Sequence, residues 1–399
     1  MASTYLNRFS PPHITTLVIA TAASTLSMNV FLPSLPGMAR YFEADYAVVQ
    51  LAISLYLAAT GVFQLFIGPA SDRFGRRPVM LSCFTIFIIG TVAAIYAPTI
   101  EVLLACRLLQ AFSAAGIVLS RAIVRDTVDS SEAASMIGYV TMGMALVPMV
   151  APMIGGFLDE IYGWKAAFVI TLVFGALAMA IIYFDLGETA VSRSNSMAAQ
   201  FRTFPLLFRS RRFWGYTSTA VFASGAFFAF IGGGPYVATE ILGLSPSRYG
   251  IYFGMLSGGY IVGNFLSGRF SRQMGSNRMM LTGNLIATGG MIFALVLFLS
   301  GVHHPISLFG PAILLGVGNG MTLPNANAGI VSARPELAGS ASGLGGALQI
   351  GLGAALSVLA SMLLSPESGP YPLIMVMAAS SFAAVLSTLY VMRIRTGNE

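Results

Sequence analysis

The chain has 399 residues, 56% of them hydrophobic and only 9% charged, and its mean hydropathy is +0.79. An ordinary soluble domain is about 25% charged, so this composition excludes a hydrated surface over most of the molecule and makes the bilayer its solvent. The net charge of +6 is spread over short loops, which reads as a topology signal and not as a nucleic-acid surface.

A bilayer-crossing helix needs about 20 apolar residues. Segments of that kind run over 14–35, 48–68, 79–97, 102–124, 135–157, 165–184, 213–234, 248–268, 279–299, 306–326, 339–361 and 371–391. The expected fold class is an all-α membrane protein with twelve transmembrane helices. The first segment is not a cleaved signal, because it is long and ends in Asn29, Pro33 and Pro36 without a small-residue cleavage site. An even number of spans puts both termini on one side. Sixteen basic residues, from Arg8 to Arg395, fall in one set of loops and tails, against Arg40, Lys165 and Arg248 in the other. That bias assigns both termini to the cytoplasm.

The longest polar stretch, 186–212, divides the chain into an N-terminal half, 1–185, and a C-terminal half, 213–399. The halves look related. The run from Phe66 to Leu81 realigns with Leu266 to Leu281 at an offset of 200, with Gly68, Gly75, Met80 and Leu81 recurring. Two repeats around a midplane site are a known transporter plan.

All 15 Asp and Glu fall in loops or at helix ends, whereas Arg107 and Arg121 lie within the fourth segment. Ionisable groups that persist at membrane depth generally face a cavity or mark a pathway. The first segment places Thr25 and Asn29 at depth. Between the second and third, Gly68-x-x-x-Asp72-Arg73-x-Gly75-Arg76-Arg77 combines a glycine for close helix approach, a glycine for a tight turn, and an acid able to meet a helix N-terminus. In the fourth, Gln110 and Arg121 fall on a shared helical face. Arg121 either faces a cavity or gate, or snorkels to the headgroups. The fifth carries Pro148, Pro152, Gly155 and Gly156, which bend the backbone and permit close packing. Phe228 lies among the aromatics of the seventh. Asn264, Asn319 and Gln349 add neutral polar groups, which either line a cavity or bridge helices. Cys83 and Cys106 sit in apolar segments, and His13, His303 and His304 near segment ends, so neither a disulfide framework nor a metal or cofactor site is expected.

The Gly68–Arg77 run resembles the signature of the major facilitator superfamily. The resemblance implies a cytoplasmic latch in which Asp72 meets the start of the eleventh helix, near Gly339 and Ser340, and Arg76 pairs with Asp126. Arg107-Leu108-Leu109-Gln110-Ala111 resembles the family's Arg-x-x-Gln-Gly motif, with Ala111 for the glycine. Ala151-Pro152-Met153-Ile154-Gly155-Gly156 resembles the Gly-Pro-x-x-Gly-Gly ending of the drug-exporter motif. With the end of the first segment, Arg121-x-x-x-Arg125-Asp126 and the glycine-rich eleventh, the chain resembles the bicyclomycin/chloramphenicol-resistance (Bcr/CflA-like) branch of bacterial drug:proton antiporters. This implies a monomeric multidrug efflux transporter of the inner membrane that exchanges drug-like molecules for protons. Relatives often carry Asp where Asn29 stands, and Asn cannot titrate, so the coupling site is open; Asp72, Asp126 and Glu101 are the nearest titratable groups. The alternatives are a facilitative or proton-coupled permease of a small metabolite and, more distantly, an intramembrane enzyme or receptor, for which no constellation is present.

Overall fold

A computed structural model describes residues 6–128, 130–190, 204–334 and 337–394. Much of the 186–212 connection, with Arg193 and Arg202, lies outside the described residues, as does Arg395. The described residues form α1 (Ile14–Tyr41), α2 (Tyr46–Phe74), α3 (Arg76–Ile95), α4 (Ile100–Thr127), α5 (Ser130–Tyr162), α6 (Lys165–Asp185), α7 (Arg211–Ile241), α8 (Pro246–Met274), α9 (Ser276–Leu299), α10 (Pro305–Ala333), α11 (Ala338–Met362) and α12 (Tyr371–Arg393). Ten of these have stretches long and apolar enough to cross a bilayer; α5 and α8 are 33 and 29 residues long, which also suffices in length. The chain is a multi-pass membrane protein.

Local chemistry breaks the helices where the sequence demands it. In α1 a short 3-10 turn at Leu32–Ser34 coincides with Pro33, ahead of Pro36. A second, at Ala111–Ser113, interrupts α4. Past Pro235, α7 widens into a π turn at Val237–Ile241. Pro148 and Pro152 lie inside α5, each deleting one backbone hydrogen bond.

The 200-residue offset reappears in the backbone. Helices α2 and α8 are both 29 residues long, and each ends on a glycine with positive φ, +101° at Gly75 and +81° at Gly275. The Gly75 N–H donates to the Ser71 carbonyl at 3.0 Å, and the Gly275 N–H to that of Ser271 at 2.9 Å. A side chain at either position would be strained.

Packing is asymmetric along the bundle. One apolar core contains residues of both halves, among them Phe31, Leu35 and Ile53 with Phe230, Tyr249 and Phe309. Towards the basic loops the core splits in two. Met80, Phe84 and Leu119 belong to the first half alone, and Phe213, Met280 and Ile330 to the second. The halves are therefore joined at the end remote from the basic loops and separate at the other.

Two seams make the joint: α5 against α8, and α2 against α11. The first is a set of backbone contacts. An added Cβ would overlap the Pro246 carbonyl at Gly156 and the Pro152 carbonyl at Gly250; at Gly155 it would overlap the Val30 carbonyl of α1, within the first half. In lipid, where there is little hydrophobic drive between helices, such close approach is what holds them. Large apolar side chains such as Phe265, Phe293 and Val173 cover the outside, as a lipid-facing surface requires.

Gly156→Ala is expected to lower thermal stability by about 1–3 kcal/mol, since backbone must move to admit the methyl. Gly258 has nothing within 4 Å of an added Cβ, so Gly258→Ala should be neutral or gain up to about 1 kcal/mol from helix propensity. Unfolding of the purified protein in detergent measures both, and equal effects would show that the seam is not tightly packed.

Candidate translocation site and latch

At the basic end, the Gly75 turn sets Arg76 at the first position of α3, where its side chain is buried among carboxylates. Nε donates to Asp126 Oδ2 at 2.8 Å, at the end of α4; Nη1 pairs with Asp72 and donates to Ser71 Oγ. The pairing of Arg76 with Asp126 is the one anticipated. The Asp72 side chain is 39% exposed, leaving one side of its carboxylate open to solvent. Gly68 faces Val118 of α4 and so lies within the first half. Arg77 donates to the Tyr183 carbonyl at 3.0 Å and lies over the Tyr183 ring, while exposed Arg73 lies over Phe74.

Deeper in the first half, Arg107 is 1% exposed. Its Nε donates to the Ala52 carbonyl at 2.9 Å, and Nη1 donates to Ser27 Oγ and Gln110 Oε1. The rings of Phe31 and Tyr56 each lie 4.3 Å from its Cζ. Nη2 has no hydrogen-bond partner among the described residues, and none of the ion pairs there involves Arg107. Gln110 is equally buried, passing its amide N–H to Thr91 Oγ1 at 2.9 Å. Its amide is thus spent between α3 and α4. The 3-10 turn after Gln110 also breaks the regular spacing from which a shared face with Arg121 was expected. Arg121 itself is half-buried beside exposed Arg125.

Asn29 is 1% exposed. Its Nδ2 donates to the carbonyl of half-buried Thr25 at 2.8 Å, and its Oδ1 is unpartnered among the described residues. In the second half, Asn264 is half-buried and donates to the Tyr260 carbonyl, Asn319 is buried with an unpartnered Oδ1, and Gln349 is half-buried. Phe228 is buried, its ring lying where a Cβ on Gly353 would sit. Asn284 bridges helices, donating to Thr388 Oγ1 and accepting from Thr322 Oγ1, each at 3.0 Å.

Sequence reasoning missed the clasp that closes the far end. Gln50 of α2 donates to Ser357 Oγ of α11 at 2.7 Å and accepts from Ser361 Oγ at 3.0 Å, with Ser54 alongside at 2.9 Å. All four are buried and neutral. Around them, Tyr46 donates to the Gly232 carbonyl, Glu160 accepts from Ser247, and exposed Arg40 pairs with Glu240. The available signal was a glutamine at the lip of an apolar segment, opposite a serine pair spaced one turn apart.

The Major Facilitator Superfamily model matches residues 17–358. The chain is 30% identical over 386 residues to a bicyclomycin resistance protein homolog of Haemophilus influenzae, covering 94% of each. It is 29% identical to the multidrug resistance protein D of Escherichia coli, again over 94% of each chain. An MFS-type transporter of Bacillus subtilis, YdgK, is 33% identical over 84% of each. Among solved structures, a bacterial homologue of the lysosomal transporter Spinster, in an inward-facing and occupied conformation, superposes with a TM-score of 0.70 at 16% identity, over 95% of each chain. The peptide transporter POT in complex with sulfate gives 0.77 at 16% identity, over 96% of this chain and 94% of that one.

Gln50→Ala removes the partner of the Ser54 and Ser357 hydroxyls inside the seam, a loss of about 1–3 kcal/mol, while Ser361 keeps its bonds to the Ser357 and Val358 carbonyls. In a background with Cys83 and Cys106 replaced by serine, a Ser54→Cys reporter should then react with N-ethylmaleimide roughly tenfold faster. An unchanged rate would mean that the clasp does not hold the closed end.

Proposed function

The chain belongs to the Major Facilitator Superfamily, and from that premise we propose that it is a multidrug efflux transporter of a bacterial inner membrane. It exports small hydrophobic or amphipathic compounds in exchange for protons, as a monomer. The observation that carries the reading is the α5–α8 seam. There Pro152 and Gly156 of the exporter-like motif are points at which α5 touches the other half, while Gly155 packs on α1 of its own half. Relatives named for multidrug, bicyclomycin and chloramphenicol resistance support the same assignment.

The split core supports alternating access. In this state the halves are joined at the end remote from the basic loops, and they part towards the cytoplasm if those loops are cytoplasmic. Rocking the halves would break the Gln50 clasp and bring the Asp72 face of α2 to the start of α11, where a carboxylate meets the positive end of a helix. Asp72, Arg76 and Asp126 then form the latch of the opposite state. Asn29 holds no proton, so coupling rests on the rim carboxylates, of which Asp126 is held by Arg76. Thr25, Asn264, Asn319, Gln349, Arg121 and Phe228 are the residues assigned to the substrate path.

Two measurements test this. Drug-dependent proton movement in everted vesicles should be of the exchange sign, persist in Asn29→Ala and fall several-fold in Asp126→Asn. Substrate movement without protons, or of the symport sign, would favour a permease. For orientation, exposed His303 and Arg209 are replaced singly by cysteine. An impermeant thiol reagent outside the cell should label the first and spare the second; the reverse would invert the topology.

A further inference from the structure

Arg76 has a further partner outside the Gly68–Arg77 motif. The main chain beyond α6 turns back across the start of α3, and Glu188 lands on the Gly75 turn. Its Oε1 accepts the N–H of Arg76 at 2.8 Å, and Oε2 approaches that of Arg77 at 3.4 Å. Helix α3 has no side-chain cap of its own, because its N-cap residue is Gly75. Glu188 supplies across the fold what Ser or Asp would supply locally: an oxygen on an orphan N–H and a negative charge at the positive helix end. An added Cβ on Gly75 would overlap the Glu188 carboxylate. Gly75 is therefore required twice, for its φ and for the space above it.

The segment carrying Glu188 is itself anchored. Asp185, three residues earlier, is 0% exposed. It accepts hydrogen bonds from the N–H of Leu6 at 2.6 Å, the N–H of His13 at 2.8 Å and Thr16 Oγ1 at 2.6 Å. Between the two acids, Gly187 lets the Arg8 carbonyl approach where a Cβ would stand. The stretch from Asp185 to Glu188 thus ties the N-terminal strap and the end of α6 to the first turn of α3.

Arg76 is consequently held from both ends, its guanidinium by Asp72 and Asp126 and its main chain by Glu188. We propose that Glu188 is a positioning residue of the latch: it fixes the α3 N-terminus so that Arg76 presents Asp72 towards the second half. This rests on the alternating-access reading above. The role predicts a change in the balance between the two states, not merely in stability.

The test uses the Ser54→Cys reporter in the purified full-length protein with Cys83 and Cys106 replaced by serine. The reporter is buried in the closed seam, so its reaction rate with N-ethylmaleimide scales with the population in which that seam is open and the latch engaged. Glu188→Ala should slow labelling by about three- to tenfold, the range open to an anion at a helix N-terminus. Glu188→Gln, which keeps an acceptor oxygen without the charge, should fall between. In an Asp72→Asn background, Glu188→Ala should slow labelling no further, because the charge it positions is gone. An unchanged or faster rate in Glu188→Ala, or an undiminished effect in the Asp72→Asn background, overturns the proposal. If Glu188→Ala fails to fold, Glu188→Gln decides on the same two comparisons. The labelling needs no substrate or proton gradient. Loss of drug–proton exchange with these rates intact would therefore defeat the export reading and leave the latch assignment standing.

Discussion

The approach of one backbone to another at Gly156 and Gly250 is the constraint on which the rest of this molecule depends. A bilayer supplies little drive for helix association, so two six-helix halves stay together only where surfaces fit closely or polar groups pair. Here both devices act at one end. The α5–α8 seam is backbone against backbone, and the α2–α11 seam is closed by the Gln50 clasp. The shared core forms beneath them, and the separate cores at the other end are what remains when no such contacts exist. The closed end rests mainly on packing and on hydrogen bonds, the Gln50 clasp and Ser247 to Glu160 among them; its one ion pair among the described residues, Arg40–Glu240, is exposed and worth little.

Charge is concentrated elsewhere, in the first half. Arg107 is buried without a carboxylate partner among the described residues, although removing a guanidinium from water costs several kcal/mol. Three hydrogen-bond acceptors and two aromatic faces offset part of that cost, each ring by about 0.5–2 kcal/mol. The outcome is a fixed positive charge beside α1. At about 10 Å and an effective dielectric near 20, such a charge opposes a monovalent cation by roughly 1–2 kcal/mol. With Asn29 neutral, nothing in the described part of α1 offsets it. The electrostatics of this half therefore favour uncharged amphiphiles over lipophilic cations.

Much of this was legible in the sequence. Hydropathy gave the membrane class and the helices. Spacing gave the 200-residue repeat, seen again in Gly75 and Gly275 with the same turn and the same hydrogen bond. The pairing of Arg76 with Asp126 was readable because both ends of it lie in local motifs. What escaped was long-range and neutral. Gln50 meets Ser357 across 307 residues, and no periodicity announces such a partner. Glu188 escaped because a helix cap is normally sought in the preceding residues, and here it arrives from 112 residues downstream. Gln110 was misplaced for another reason. Helical spacing put it on a face with Arg121, but the 3-10 turn at 111–113 rotates the remainder of α4, and the amide is drawn to Arg107 and Thr91.

These positions bear on how a proton could be coupled to transport. In a transporter with a carboxylate at membrane depth, protonation and substrate compete within the cavity. Here, under the exchange reading, the carboxylates at issue are Asp72 and Asp126, which hold Arg76 where the halves part. Protonating Asp126 would free one side of the guanidinium; protonating Asp72 would remove the charge that the start of α11 attracts. Either step weakens the latch and leaves the clasp untouched. A proton at the rim would then act on the balance of states and not on the substrate site, and a ligand gains control of transport only through its different affinity for the two states. Coupling of that kind needs no titratable group beside the substrate, which is the condition that Asn29 imposes.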